Sequence, residues 1–213
     1  MQQACAFSSV MYWDARYRGG GTSGAGSVGH LAQFKAGVIN RFIADNRITS
    51  VIDLGCGDGS QLGLLRLPAD YVGVDVSPTA LWQCSGRFPQ RRFMPCEQAD
   101  TLPAAELALS LDVIFHLVED SVFVSTMRRL FALATRFVVI YASNVDADWP
   151  VPHVRHRAFT RHVAQSEPDW RLLAHLPNRY PFDPRRPDET SFADFFIYGR
   201  PDAACTLHIP QTV

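Results

Sequence analysis

The sequence predicts an α/β protein built on a doubly wound sheet with helices on both faces. A short apolar run at residues 51–54 leads into three alternating glycines (Gly55, Gly57 and Gly59), and apolar periodicity resumes from Leu62. This order is typical of a buried parallel strand, a tight loop and a helix. Strand-like and helix-like segments then alternate along the chain, which indicates a sheet covered on both sides.

The individual elements follow from local patterns. Apolar residues fall on one helical face between Leu31 and Ile43, and Leu62 to Leu67 continue the helix predicted after the glycines. Residues 71–76 form the second predicted strand. Ser77 followed by Pro78 is an N-cap and first-turn signal for a helix to about Arg87. Further strands are predicted at residues 92–94, 107–111, 137–142, 170–176 and 192–198, with helices from Asp120 or Ser121 to Phe131 and at 159–165.

Length and composition favour one domain spanning residues 1–213, with an N-terminal segment at 1–30 and a proline-rich insert at 177–191. The formal net charge of -1 offers no broad basic field for nucleic acid. Lys35 is the only lysine. The five cysteines are scattered without metal-ligand or disulfide spacing, and no apolar run reaches membrane-spanning length. We therefore expect a cytoplasmic protein without membrane or nucleic-acid partners, and leave its oligomeric state open.

Acidic residues around the glycines indicate which nucleotide the loop binds. Asp53 and Asp58 flank the turn, and like charges would oppose a pyrophosphate there. Ser60 stands where the dinucleotide fingerprint has Gly or Ala. A cofactor that carries an ammonium and a sulfonium suits these acids better. Asp75, about twenty residues past the first glycine, is placed to accept hydrogen bonds from ribose hydroxyls.

From about Tyr12 to Arg200 the chain resembles the class I S-adenosylmethionine-dependent methyltransferases, whose glycine motif and ribose-binding acid match residues 53–59 and Asp75. The resemblance implies a Rossmann-like sheet of seven strands, the last of them antiparallel. It also implies S-adenosylmethionine as cofactor, bound by a set of residues from the N-terminal segment, the loop and the strand ends: Trp13, Arg16, Asp53, Gly55, Cys56, Gly57, Asp75, Val76, Ser77, Ser110 and Leu111.

The glycine-rich stretch at residues 19–29 is too flexible for a core element. We interpret it as a lid that orders over the cofactor and excludes water from the transfer. The alternative is a linker that ties on the following helix. The preceding segment around Trp13 and Arg16 resembles the part that covers the cofactor in many small-molecule members, which favours the lid.

Candidate catalytic residues lie at the end of the fourth strand, where ligands of such sheets bind. Asp112 and His116 are four residues apart and would share one face of a helical turn. A histidine near neutral pKa suits removal of a hydroxyl proton; the alternative is a hydrogen-bonded core histidine. Family members that bind a metal here carry Glu and two adjacent His, so we expect none. The Asn/Asp-Pro-Pro-Tyr element of nucleobase methyltransferases is absent.

Basic and amide side chains after the fifth strand are candidates for acceptor binding: Asn144, His153, Arg155 and His156. Clustered in this way they could hold a phosphate or carboxylate, and the alternative is a solvated basic loop. We predict methyl transfer to a small molecule, at a hydroxyl of a sugar or related metabolite, and an anionic acceptor would fit this cluster. A protein or RNA methyltransferase and a non-catalytic cofactor-binding partner subunit are the competing interpretations.

Overall fold

A seven-stranded sheet forms the centre of the computed structural model, which describes residues 7–147, 149–203 and 205–206. The strand order is β3-β2-β1-β4-β5-β7-β6. The strands are β1 (Ser50–Leu54), β2 (Asp70–Asp75), β3 (Arg92–Pro95), β4 (Ala105–Leu111), β5 (Ala134–Ala142), β6 (Arg171–Leu176) and β7 (Asp194–Gly199). Strand β7 runs antiparallel to both of its neighbours, while β1 to β5 pair in parallel. The predicted Rossmann-like sheet with an antiparallel last strand is confirmed.

Within the described ranges, five α-helices pack around the sheet: α1 (Ser9–Arg18), α2 (Gly29–Asp45), α3 (Pro78–Arg87), α4 (Asp120–Ala132) and α5 (Phe159–Ser166). The cap predicted for α3 is present, because the Ser77 hydroxyl accepts a hydrogen bond from the Ala80 amide at 3.2 Å. None of these helices, within the described part of the chain, is long and apolar enough to cross a bilayer.

The core lies along the central strands, which are covered on both faces. Residues 137–142 of β5 are all at most 1% exposed, as a continuous apolar run in a central strand requires. Each fully buried large apolar side chain contributes about 1.5–3 kcal/mol. After β1 the chain first adds β2 and β3 on one side and then adds β4 on the other side. The loops that follow β1 and β4 therefore leave in opposite directions and open a crevice for a ligand.

The prediction of a helix directly after the glycine loop is wrong. Leu62–Leu64 forms only a single 3-10 turn. Eight residues separate Gly59 from Pro68, and Gly63 interrupts them. An isolated helix this short is not stable, and glycine lowers helix propensity further. Leu62, Leu65 and Leu67 pack on the core without forming a helix, and Leu64 is exposed.

Candidate cofactor and acceptor site

A cavity of about 280 Å³ opens at the carboxyl ends of β1, β2 and β4. Its floor comes from the strand ends and the glycine loop, and α1 and the residues after it cover it. Most of the cofactor residues predicted from the sequence line it: Trp13, Asp53, Gly55, Cys56, Gly57, Asp75, Val76 and Leu111. The structure therefore brings these side chains together in one place, as the strand order requires.

The glycine loop has the conformation predicted for it. Gly55, Gly57 and Gly59 have φ values of 95°, 58° and 76°, in the left-handed region that favours glycine. A side chain at Gly55 would overlap Val113, and one at Gly57 would overlap Ser23. The Gly55 and Cys56 amides donate to the Val74 carbonyl at 2.7 and 3.1 Å, so the loop is tied to β2.

The Asp75 carboxylate organises the cofactor end of the cavity. It accepts hydrogen bonds from the Gly57 and Ser77 amides, each at 2.9 Å. Burial raises the pKa of Asp75, and these backbone hydrogen bonds oppose the rise. A carboxylate has about four acceptor positions, so positions remain for ribose hydroxyls on the cavity side. Ser77 supports this acid and caps α3 without lining the cavity.

Asp53 is a buried acid that faces the same cavity. Burial raises its pKa to about 7, although the Tyr71 hydroxyl donates to it at 3.2 Å and Lys35 lies nearby. Near neutral pH the carboxyl is therefore partly protonated. A cation bound beside it would favour the charged form, which fits a sulfonium or ammonium ligand.

Lys35 is a functional candidate that the sequence analysis missed. Its side chain is 1% exposed, pairs with the Asp112 carboxylate and lies 5.4 Å from the centre of the Tyr141 ring. The Asp112 amide donates to the Tyr141 carbonyl at 2.9 Å, with φ of 60°. The signal was present in the sequence, because Lys35 is a single lysine on the otherwise apolar face of α2.

The expectation that Asp112 and His116 share a helical face is wrong. Only Ile114–His116 forms a 3-10 turn, and Asp112 precedes it in a left-handed conformation. Its carboxylate is directed to Lys35. Both Asp112 and His116 still line the cavity, from separate positions on the β4 loop.

His116 is half-buried and lines the cavity. Its Nδ1 is 2.9 Å from the His153 carbonyl oxygen. A carbonyl only accepts, so Nδ1 carries the proton and Nε2 holds the free lone pair. Burial lowers the pKa of His116 to about 4 and the positive charge of Arg16 adds to the shift, while the hydrogen bond to the His153 carbonyl opposes it. The ring is neutral at physiological pH, so Nε2 is available as a base.

Of the four predicted acceptor-binding residues, only His153 lies beside His116, stacked at 5.5 Å between ring centres. The Asn144 amide oxygen accepts from the Thr160 amide and hydroxyl, each at 3.1 Å, at the start of α5. His156 is buried and hydrogen-bonded to Ser143 at 2.7 Å. None of the three, His153 included, lines the cavity.

Arg155 also lies outside the cavity. It donates to the Val118 carbonyl at 3.0 Å and pairs with Asp120 at 3.1 Å. Arg157 makes similar bonds, to the Leu117 and Val118 carbonyls at 2.7 and 2.8 Å. These arginines hold the loop after β4 to the loop after β5, so their cationic groups already have partners.

Helix α1 covers the cavity and is attached to the rest of the protein at two points, its start and its middle. At its start, the Ser9 amide and hydroxyl donate to Glu119 at 2.9 and 2.7 Å. Further along, Asp14 accepts from the Ser77 and Thr79 hydroxyls at 2.8 and 3.2 Å. The helix is therefore bound to the β4 loop on one side and to α3 on the other.

The glycine-rich stretch at residues 19–29 lies directly on the glycine loop. Ser23 donates to Asp58 through its amide and hydroxyl, at 3.1 and 2.9 Å. Arg16 holds the stretch from below, because its Nε donates to the Thr22 carbonyl at 2.7 Å. Arg16 thus supports the cover without lining the cavity. This placement supports a lid, and ordering on ligand binding stays a prediction.

Two remaining observations concern the strand end and metals. Ser110 is fully buried in β4 and lies outside the cavity, and its hydroxyl has no hydrogen-bond partner among the residues described. Over the same residues, no group of three or more His, Cys, Asp or Glu side chains is arranged to hold a metal ion.

Comparison with known proteins identifies the class. Residues 52–138 match a family model described as "Methyltransferase domain". The chain is similar in structure to magnesium protoporphyrin IX methyltransferase from Synechocystis with bound S-adenosylhomocysteine (TM-score 0.64, 16% identity, 90% of this chain and 99% of that one). It is also similar to N-methyltransferase NodS from Bradyrhizobium japonicum (0.62, 11%, 81% and 88%) and to a mitomycin 7-O-methyltransferase (0.56, 15%, 81% and 55%).

At these identities the solved structures show the fold, and the matched domain adds the activity. Residues 52–138 form a methyltransferase domain, and the chain has the fold of the class I S-adenosylmethionine-dependent methyltransferases. The matched residues contain most of β1, all of β2 to β4 and the first half of β5. Similar structures are solved with S-adenosylmethionine or S-adenosylhomocysteine bound, consistent with S-adenosylmethionine as the cofactor. The structurally similar enzymes are named for different acceptors and for both oxygen and nitrogen as the methylated atom, so they leave the acceptor open.

Proposed function

We propose that the enzyme transfers the methyl group of S-adenosylmethionine to a hydroxyl oxygen of a small molecule, with His116 as general base. The observation that carries this proposal is the hydrogen bond from Nδ1 of His116 to the His153 carbonyl. It fixes the tautomer, so that Nε2 of a cavity-lining histidine holds a lone pair. A hydroxyl needs such a base, because it is a poor nucleophile while it keeps its proton.

The cofactor would lie between the glycine loop and Asp75, with its cationic end near Asp53. Methyl transfer is an in-line displacement, so the acceptor oxygen must face the methyl carbon on the side opposite sulfur. Alignment of this kind lowers the barrier by several kcal/mol. Asp112 serves the site as a positioning residue, since Lys35 already engages its carboxylate.

A small acceptor is favoured over a macromolecule because the site is a covered cavity. Helix α1 closes it from above through Ser9 and Asp14. The formal net charge of -1 also gives the chain no net positive field to attract RNA. A non-catalytic partner subunit is disfavoured because Nε2 of His116 retains a free lone pair at the cavity. The sugar predicted from the sequence loses support, since Asn144, Arg155 and His156 lie outside the cavity.

The test is a transfer assay with labelled S-adenosylmethionine and a library of small alcohols, phenols and amines, in which NMR locates the methyl group. His116→Ala should lose about 10²–10⁴-fold in turnover, the range of general base catalysis, and should bind S-adenosylhomocysteine as the wild type does. The control is His175→Ala, at a partly exposed histidine of β6. Full activity of His116→Ala toward a hydroxyl acceptor would refute the role of His116 as general base. Transfer only to amines would refute oxygen as the methylated atom.

The pH profile gives an independent check. With the pKa of His116 at about 4, the base is already neutral well below physiological pH. The wild-type kcat/KM should therefore show no rise through the usual histidine range near pH 6.5. A step of tenfold or more in that range, absent in His116→Ala, would show that the histidine titrates normally and contradict the burial argument.

A further inference from the structure

The end of the cavity next to His116 is largely apolar. Val10 and Trp13 of α1, Leu117 of the β4 loop and Val122 of α4 line it. The Trp13 ring meets His116 edge-on, with 4.7 Å between the ring centres and 71° between the planes. An acceptor whose hydroxyl reaches Nε2 therefore lies against an indole and aliphatic side chains.

Ser9, Ser125 and Arg129 line this cavity, and each of the three side chains already has a partner. Ser9 is bonded to Glu119, and the Ser125 hydroxyl donates to the Val122 carbonyl at 3.0 Å. Arg129 pairs with Asp100 at 2.7 Å. A sugar would bring several hydroxyls into the cavity, and each buried one left without a partner costs about 1–3 kcal/mol. An acceptor with one hydroxyl on an apolar frame avoids this cost.

The surroundings of His116 also limit which hydroxyl it can deprotonate. The partner of Nδ1 is a neutral carbonyl. A carboxylate in its place would stabilise the protonated ring and make the histidine a stronger base. The neighbouring rings of Phe115 and His153 lie at 4.5 and 5.5 Å, and Arg16 adds positive charge. Such a base requires a comparatively acidic proton. A phenol has a pKa of about 10, whereas water, close to an aliphatic alcohol, has about 15.7.

We infer that the acceptor is an uncharged aromatic or enolic compound with a phenol-like hydroxyl, bound against the Trp13 indole with that hydroxyl at Nε2 of His116. The inference rests on the proposed oxygen transfer and specifies its substrate class. The hydroxyl proton passes to Nε2 as the oxygen bonds to the methyl carbon. The carbon–sulfur bond breaks with its electron pair on sulfur, which gives S-adenosylhomocysteine, and His116 then releases the proton to solvent.

Acceptors of matched shape test the inference directly. We would compare 4-methylphenol, 4-methylcyclohexanol, 4-methylaniline and methyl glucoside with the wild-type enzyme and saturating S-adenosylmethionine. The phenol should be methylated at least about 100-fold faster than the cyclohexanol, because roughly five pK units separate the two hydroxyls. Equal or faster transfer to the cyclohexanol or the glucoside would overturn the phenol inference and leave oxygen transfer standing.

Two further outcomes separate the inference from the proposed function. Transfer to 4-methylaniline alone would overturn both. If no phenol is methylated while calorimetry shows that the cofactor is bound, the inference is overturned. The proposed oxygen transfer would then be decided by the library assay described above. With 4-nitrophenol at a pH where it is ionised, His116→Ala should lose far less turnover than with 4-methylphenol, because no proton remains to be removed.

A substitution at Trp13 tests whether the acceptor lies against the indole. Trp13→Leu should raise KM for 4-methylphenol about three- to tenfold, the worth of one aromatic contact, and change kcat less. Trp82→Leu, at an indole that is 76% exposed on α3, is the matched control. Calorimetry with S-adenosylhomocysteine separates any loss of cofactor binding. An unchanged KM in Trp13→Leu would place the acceptor elsewhere and contradict the inference.

Discussion

Replacing Lys35 by methionine tests how far the buried ion pair supports the floor of the site. The lysine side chain is 1% exposed and that of Asp112 is 18% exposed, so the substitution leaves a partly buried carboxylate without its partner. Breaking a buried pair costs about 3–5 kcal/mol, and we expect about 3 kcal/mol because Asp112 keeps some contact with the cavity. For a chain of this size each kcal/mol lowers Tm by about 2–4 °C. Lys35→Met should therefore lower Tm by roughly 6–12 °C.

Calorimetric melting and urea unfolding would both measure this loss. The control is Arg41→Met on the same helix, because the exposed Arg41 forms an i,i+4 helix pair with Asp45, and such pairs contribute only about 0.3–0.5 kcal/mol. Adding Asp112→Asn to Lys35→Met removes the unpaired charge and should recover part of the lost stability. If Lys35→Met unfolds at the same urea concentration as Arg41→Met, the ion pair is not a determinant of stability and the reasoning fails.

Three other predictions concern cofactor binding. Binding of S-adenosylmethionine should release a proton near pH 7, because its cation ionises Asp53; calorimetry in buffers of different ionisation enthalpy should show this, and Asp53→Asn should abolish it. Asp75→Asn should weaken binding by tenfold or more, since each charge-assisted hydrogen bond contributes about 1.5–3 kcal/mol; unchanged affinity would contradict the ribose role. Ser23→Ala should speed protease cleavage within residues 19–29 and reduce the protection that S-adenosylhomocysteine gives, and equal cleavage would leave that stretch a linker.

The cofactor half of the site could be predicted from the sequence because it depends on local rules. Alternating glycines with an acid before them, and a second acid at the end of the next strand, fix backbone shape and chemistry within a few residues. Asp53, Gly57 and Asp75 accordingly lie where the pattern indicated. The cap at Ser77 is equally local, because one hydroxyl and one nearby amide define it.

The acceptor half depends on contacts between distant segments, which spacing does not show. The pairing of Lys35 with Asp112 joins residues 77 positions apart. Asp112 therefore faces Lys35 and does not share with His116 the helical face that the spacing had predicted. Arg155 is a cation in sequence terms, and only the fold reveals that carbonyls of the β4 loop accept its hydrogen bonds. The tautomer of His116 likewise follows from a carbonyl 37 residues away.

The burial of Lys35 has a practical consequence for labelling the protein. As the single lysine of the chain, it is the only side-chain amine that acylating dyes, biotin esters or crosslinkers could modify, and at 1% exposure the folded enzyme shields it. Surface immobilisation through lysines would therefore fail on native protein. The rate at which Lys35 is modified would instead report how often the protein opens, since α2 must first move away from the cavity in each molecule that is labelled.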